Sequence, residues 1–206
     1  MTRTFLNSSG NVCIEINGMR TTVLDNDCTG VNLSNEYLPN VSVVECDFSN
    51  ANFNNALLDG FQSEKCNFSS SSFNRTSLKY SVFNACNLNC VSVRAADIRF
   101  ARFEGNKSEG FCFDDCVGLF SIFIDNDFYW SSCMDAIFSY AKLTRCKFMG
   151  ALFQNVNFDH AEIRNCVFEK DNLNSVTRFI GLSTIGVISD NNHINGDAKE
   201  KVFITK

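Results

Sequence analysis

Large apolar residues recur at every fifth position along most of the chain. Between Cys46 and Leu88 the middle residues of successive fives are Phe48, Phe53, Leu58, Ser63, Phe68, Phe73, Leu78, Phe83 and Leu88. Two places before them sit small residues: Cys46, Ala51, Ala56, Cys66, Ser71, Thr76, Ser81 and Cys86. Phe61 is the exception, and it precedes the one weak centre, Ser63. Large and small have traded places there, which roughly conserves core volume. The frame keeps phase from Val23 to Leu173, and the centres that depart from Leu, Ile, Val or Phe are Cys28, Ser63, Ser108, Gly118 and Cys133. A helix does not carry such a stripe, because five is not a multiple of about 3.6 and the stripe would wander around the axis. A plain strand fails too, since an odd period changes face at every repeat. The chain must turn a corner in each unit.

A longer period sets the size of the coil. Cys46, Cys66, Cys86, Cys146 and Cys166 fall on one ladder of spacing 20, interrupted by Asn106 and Asn126. Tyr80, Phe100, Phe120 and Tyr140 fall on another. Four fives per coil give a square cross-section in which like residues stack. At about 4.8 Å of rise per coil, some eight coils make a rod of roughly 37 Å. Phe48, Phe68, Phe128, Phe148 and Phe168 should share one inner face. Residues 1–20 precede the clean repeat and read as an N-terminal cap, with strand-like alternation at Cys13-Ile14-Glu15-Ile16 and a tight-turn pair at Asn17-Gly18. The repeat occupies residues 21–175. Residues 176–206 read as a C-terminal cap and polar tail, in which Val176, Phe179, Ile180, Leu182 and Ile185 suit an amphipathic helix or strand.

The units ANFNN, CNFSS, CNLNC, ALFQN and VNFDH resemble the A-(D/N)-(L/F)-x-x unit of the pentapeptide repeat family. The resemblance implies an all-β, right-handed parallel quadrilateral β-helix. The centre and the small residue point inward and the other three positions face solvent. Members often dimerise through a C-terminal cap, so a homodimer is expected from the resemblance.

Composition narrows the chemistry. Hydrophobic residues make up 45% of the chain and Phe dominates them, with 21 copies. The formal charge of −5 is mild, so bulk charge does not point to direct nucleic-acid binding. No stretch approaches the roughly 18 apolar residues of a membrane span. The 11 cysteines are odd in number and the first residues lack a signal-peptide core, so we expect free buried thiols and a cytoplasmic location. Secretion by a route without a cleaved signal stays open. A linear stack of inward thiols suits small hydrophobes better than the convergent cage a metal needs, so no metal or cofactor is expected. With His160 on an outward corner, His193 in the tail and no nucleophile–base spacing, the chain does not read as an enzyme.

The outward positions hold the candidate sites. The Tyr80, Phe100, Phe120 and Tyr140 corner ends at His160, beside outward Val82, Val117, Leu119, Ile122 and Ile124. Such a column can be a ladder that stiffens the stack, or an exposed face that binds a protein partner. Charge is banded: residues 21–64 are acidic, 65–107 mostly basic and 108–141 acidic again. The quinolone-resistance members of the family bind DNA gyrase as DNA mimics. That resemblance implies a second role, toward gyrase or another type II topoisomerase, with Asp114, Asp115, Asp125 and Asp127 as the acidic-face candidates. The basic middle band interrupts such a face. Some secreted bacterial effectors also resemble this family, which adds a third role. We expect a non-enzymatic scaffold acting first through the aromatic corner.

Overall fold

The computed structural model describes residues 3–16, 21–24, 26–170, 172–173 and 175–194. The chain opens with an antiparallel hairpin of β1 (Arg3–Leu6) and β2 (Val12–Ile16). Asn7 closes its turn: Oδ1 accepts the amides of Ser9 and Asn11, and Gly10 supplies a left-handed residue at φ 81°. Cys13, Ile14 and Ile16 are buried, as their alternation suggests. The Ser8 amide donates to the Thr29 carbonyl (2.8 Å) and Asn26 Nδ2 to the Cys13 carbonyl (2.9 Å), so the hairpin lies across the first coil. Asn17-Gly18 lies outside the described residues.

From Thr22 the chain winds in four-sided coils. One side of each coil is a three-residue strand: β3 (Thr22–Leu24), β4 (Ser42–Val44), β5 (Gln62–Glu64), β6 (Val82–Asn84), β7 (Arg102–Glu104), β8 (Ile122–Ile124) and β9 (Lys142–Thr144). β10 (Leu152–Gln154) lies on another side, and β11 (Glu162–Arg164) returns to the first. The strands pair in parallel at a step of 20 residues, as in Val23 to Val43 and Phe103 to Phe123. The other sides are single bridges at the same step, such as Asp47 to Asn67, Asn52 to Ser72 and Leu57 to Ser77. The all-β parallel quadrilateral solenoid expected from the five-residue frame is the observed fold, and no helix occurs among the described residues.

The five-residue unit works because its last residue turns left-handed. Asn50, Asn55, Ser70 and Arg75 sit at φ 58–60°, and the same holds at nearly every fifth position. The carbonyl of the centre then accepts the amide three residues on, as from Ala51 to Phe48 (3.0 Å) and Phe61 to Leu58 (3.0 Å). Both the centre and the small residue face inward, and every centre from Val23 to Phe168 is buried. Their rings stack coil on coil: Phe48 on Phe68 at 5.3 Å, and Phe128 on Phe148 on Phe168 at 5.2 Å each. The exceptions compensate. Phe61 packs against Phe53, Phe68 and Phe83 where Ser63 leaves room. At Gly118 a Cβ would stand 2.8 Å from the Phe138 ring, which takes up the missing volume.

The corner after each β3-type strand differs, because its inward amide lacks that centre carbonyl. The residue one coil later supplies the acceptor. The Cys46 amide donates to Cys66 Sγ (3.4 Å), the Cys86 amide to Asn106 Oδ1 (2.8 Å) and the Asn106 amide to Asn126 Oδ1 (3.1 Å). The same side chains donate to carbonyls, as from Cys66 Sγ to Glu64 and from Asn126 Nδ2 to Ile124. The ladder is therefore a column of hydrogen-bonding groups, beyond the small hydrophobes expected. Cys and Asn interchange in it because both can donate and accept there.

The segment expected as a C-terminal cap forms one more coil. After β12 (Val167–Phe168), six extra residues shift the frame. β13 (Arg178–Ile180), β14 (Ile188–Asp190) and β15 (His193–Ile194) then stack on β10, β11 and β12 at a step of 26. Phe179 stacks on Phe153 (5.3 Å), and Asn192 resumes the inner column by accepting the Cys166 amide (2.8 Å). Leu173, the last in-frame centre, falls in the inserted segment and is 76% exposed. The sheet built on β3 holds nine strands, so eight steps of about 4.8 Å give a stack of roughly 38 Å. Residues beyond Ile194 lie outside the described part.

Candidate protein-binding face

The aromatic corner is built by the turn. Tyr80, Phe100, Phe120, Tyr140 and His160 all occupy the left-handed position, at φ 59–60°. A bulky L-residue is disfavoured there by about 1–2 kcal/mol. The rings stack at 5.0 Å (Tyr80–Phe100), 5.2 Å (Phe100–Phe120), 5.0 Å (Phe120–Tyr140) and 4.9 Å (Tyr140–His160), with planes within 17°. Each such contact is worth about 0.5–1.5 kcal/mol, so stacking and backbone strain nearly cancel. Solvent still reaches the rings: Tyr80 is 60% exposed, Phe100 44%, Phe120 45% and Tyr140 46%. Glycines bracket the column. Gly60 precedes Tyr80, and His160 Nδ1 lies 2.6 Å from where a Gly186 Cβ would be.

One coil crosses this column with an apolar belt. Val117, Leu119, Ile122 and Ile124 flank Phe120 and are partly exposed. Val82 lies two coils before Ile122 on the same face, through the β6–β7–β8 pairing. The structure adds Ile137, bridged directly to Val117 and 38% exposed. Sequence reasoning passed over it, although its spacing of 20 from Val117 was the available signal. Tyr80, Phe100, Val117, Leu119, Phe120, Ile122, Ile124 and Tyr140 therefore do come together.

The acidic candidates do not form one surface. Asp114 is a correction: it is buried at 3% exposure and belongs to the framework. Its carboxylate accepts from Ser132 Oγ (2.6 Å), the Met134 amide (3.0 Å) and Arg94 Nη2 (2.8 Å). Burial works to raise this carboxyl, but those bonds outweigh it and hold it below the usual carboxylate range. Asp115 is exposed, with Arg94 at 3.9 Å. Asp125 is held in a fork by Arg145 (2.7 Å), which lowers its carboxyl, and Asp127 meets Lys147 (2.9 Å).

These pairs explain the charge bands. Stacked coils bring residues 20 apart to neighbouring rungs, where like charges repel. Lys65 meets Glu45 (3.1 Å), Lys79 meets Asp59 (3.0 Å), Arg94 meets Asp114 and Lys142 meets Glu162 (3.4 Å). A band of one sign thus lies beside a band of the other, and local fields are largely neutralised.

A void among the rings of Phe113, Phe123, Phe128 and Phe138 holds about 10 Å³, too small for a substrate. Among the described residues no group of three or more His, Cys, Asp or Glu is placed to hold a metal ion. Cys46, Cys66, Cys86, Cys146 and Cys166 are buried and form no disulfide, whereas Cys90 is exposed. Burial pushes the Cys116 and Cys133 thiols well up.

The model of the pentapeptide repeats matches residues 27–61 and 131–169, in eight copies. Over those two stretches the chain carries pentapeptide repeats. Solved structures agree on the fold. HetL, a pentapeptide repeat protein involved in heterocyst differentiation regulation from the cyanobacterium Nostoc sp. strain PCC 7120, is similar at 13% identity and a TM-score of 0.58. The match covers 85% of this chain and 87% of that one. A trypsin-treated form of QnrB1, a plasmid-mediated fluoroquinolone resistance protein, is similar at 15% identity and a TM-score of 0.55, over 90% of this chain and 95% of that one. No curated protein matches the sequence. The pentapeptide repeat fold is that of a repeat scaffold, a rod that displays side chains on four flat sides.

Proposed function

We propose that this protein is a non-enzymatic interaction scaffold whose binding face is the aromatic corner with its apolar belt. The carrying observation is the crossing at Phe120. A column of exposed rings meets a run of outward apolar residues from Val117 to Ile124, and Ile137 extends it. Stacking barely offsets the left-handed strain, so stability alone is a poor reason for the rings. An exposed apolar patch of this kind suits a protein partner. We place the protein in a reducing compartment, the cytoplasm, which accords with its 11 free cysteines. A homodimer through the last coil is proposed with it, since Ile180, Ile185 and Ile188 are exposed there.

The role of a DNA mimic for gyrase or another type II topoisomerase draws on the likeness to QnrB1, and the paired carboxylates speak against it. Capture from lysate with three forms of the rod separates the readings. Phe100→Ser/Phe120→Ser/Tyr140→Ser should stay folded and lose the partner, while Asp125→Asn/Asp127→Asn should keep it. Retention by the triple Ser form refutes the face. Loss only in the acidic variant, with a type II topoisomerase as the lost protein, establishes mimicry instead.

A further inference from the structure

Bases on this rod commonly meet an acid one coil away: Lys65 meets Glu45, Arg145 meets Asp125 and Lys147 meets Asp127. Arg75 has no such acid. Asn55 stands at its corner one coil before and Ala95 one coil after, all three left-handed at φ 55–60°. The next bases along the chain, Lys79 and Arg94, are taken by Asp59 (3.0 Å) and Asp114 (2.8 Å), while Arg75 makes no ion pair among the described residues. It lines a depression of about 370 Å³ together with Asn54, Asn55, Asn74, Arg94 and Ala95.

The framework decides which way the carboxamides of this depression point. Asn54 Oδ1 accepts Ser72 Oγ (2.5 Å) and the Asn74 amide (2.8 Å), and a main-chain N–H can meet only the oxygen end of a carboxamide. Asn54 Nδ2, with two N–H groups, is thereby turned away from the framework. Asn74 Oδ1 accepts Ser92 Oγ (2.6 Å) and the Arg94 amide (3.0 Å), and its Nδ2 gives one N–H to Ser72 Oγ (2.9 Å), leaving the second outside the framework. Donors therefore gather beside an unpaired guanidinium. The one carboxylate on the lining, Asp115, stands at the far rim, two coils or about 10 Å along the rod from Arg75, and faces Arg94 Nε at 3.9 Å. Ala95 puts no long side chain between the two. An ammonium or an apolar group leaves these donors unused. A carboxylate uses them, and its two oxygens match the fork of a guanidinium.

We propose that Arg75, with Asn54 and Asn74, receives the carboxylate of an acidic side chain on a partner protein, seated over Ala95 as the acid this corner lacks. The site lies one corner from the aromatic column, since Ala95 precedes Phe100 by one five-residue unit, so one partner can reach both. The proposal rests on the protein-binding reading above and names an anchor chemistry for it. Its test needs no partner. Nα-acetyl-glutamate methylamide is titrated into the full chain at low salt, with the glutamine analogue and inorganic phosphate as comparisons. The arginine Nε–H and the Ala95 main-chain amide resonances are followed by NMR. Saturable shifts should appear at Arg75 and Ala95 and not at Arg145, which Asp125 already holds in a fork. The glutamine analogue should bind about tenfold or more weakly than the carboxylate. Ala95→Glu should fill the seat and abolish the shift at Arg75, since Glu45 takes the same φ of 55° as Ala95. Arg75→Gln should abolish the shift at Ala95, which tests the site independently if Ala95→Glu folds poorly. Arg75→Lys should weaken binding by about threefold, because an ammonium lacks the fork. Absence of a saturable shift, equal binding of the glutamine analogue, tighter binding of phosphate than of the carboxylate, or binding that survives Arg75→Gln each overturns the proposal. None of these results bears on whether Phe120 holds the partner, which the capture experiment decides separately.

Discussion

Two columns of side chains climb this rod at the same step of 20 residues and answer to different physics. The inner one runs through Cys46, Cys66, Cys86, Asn106, Asn126, Cys146 and Cys166, and Cys66, Asn106 and Asn126 each receive the buried amide of the coil before. An unpaired amide there would cost about 1–3 kcal/mol, so the backbone dictates a group that can both donate and accept. The outer column, Tyr80 to His160, satisfies no backbone group. Its rings gain from stacking about what they lose in left-handed strain. Periodicity alone thus does not mark importance to the fold. The inner column is required by the main chain, while the outer one is elective and available for function.

The comparison breaks most sharply in thiol kinetics. Cys66 and Cys146 should label with iodoacetamide about a hundredfold or more slowly than Cys90 in the native rod, because they react only through opening of the coil. Comparable rates would remove the inner column from the core. Next comes Asn126→Leu, which keeps the volume, leaves the Asn106 amide unpaired and removes the bonds from Asn126 Nδ2 to the Phe103 and Ile124 carbonyls. Denaturant unfolding should show a loss of roughly 3–5 kcal/mol, and Asn126→Cys should recover most of it. If Leu is tolerated as well as Cys, the hydrogen-bonding account of the column is wrong.

Asp114 tests a residue that sits on an outward position and behaves like the inner column. Asp114→Ala should cost about 2–3 kcal/mol by stranding Ser132 Oγ and the Met134 amide. Smaller still, Phe120→Gly should change stability by less than about 1 kcal/mol, since it gives up two stacks and releases the strain at φ 59°. A large loss there would make the outer column structural.

The smallest effect is electrostatic. Arg145 holds the exposed Asp125 below the ordinary carboxylate value of 3.8, and its hydrogen bonds do the same for Asp114. A carboxyl depressed in the folded state stabilises above that unfolded value, and the contribution fades as pH falls through the lower folded one. Stability measured from pH 5 downward should therefore decline below about 3.8. Asp114→Asn should flatten that decline visibly, and Asp125→Asn only slightly, because water screens the exposed pair. An identical acid profile in Asp114→Asn would mean the buried carboxylate carries no linkage.

Much of this was legible because the repeat is local. The alternation of Phe48 with Cys46, and of Phe53 with Ala51, names the inward residues without any knowledge of neighbours. The spacing of 20 is enough to put Phe100 beside Phe120. What escaped the one-dimensional reading depends on which coil lies next. Asp114 looked like a surface acid until Ser132 and Met134, one coil on, enclosed it. The charge bands looked like fields until stacking turned them into pairs such as Arg145 with Asp125. Ile137 needed the bridge to Val117 to join the patch. The last coil was hidden because six extra residues broke the phase, while the backbone needed only a new stacking register.

The sequence by itself determined the five-residue corner, the four-sided coil and the identity of the core, since these follow from side-chain size and from a left-handed turn that recurs in each unit. Only the tertiary structure decided which polar groups are surface and which are framework, where the ring column ends, and how the chain re-enters the stack after Phe168. Those outcomes depend on contacts between residues 20 or 26 apart, where the partner across the coil, and not the residue type, sets burial, charge and exposure.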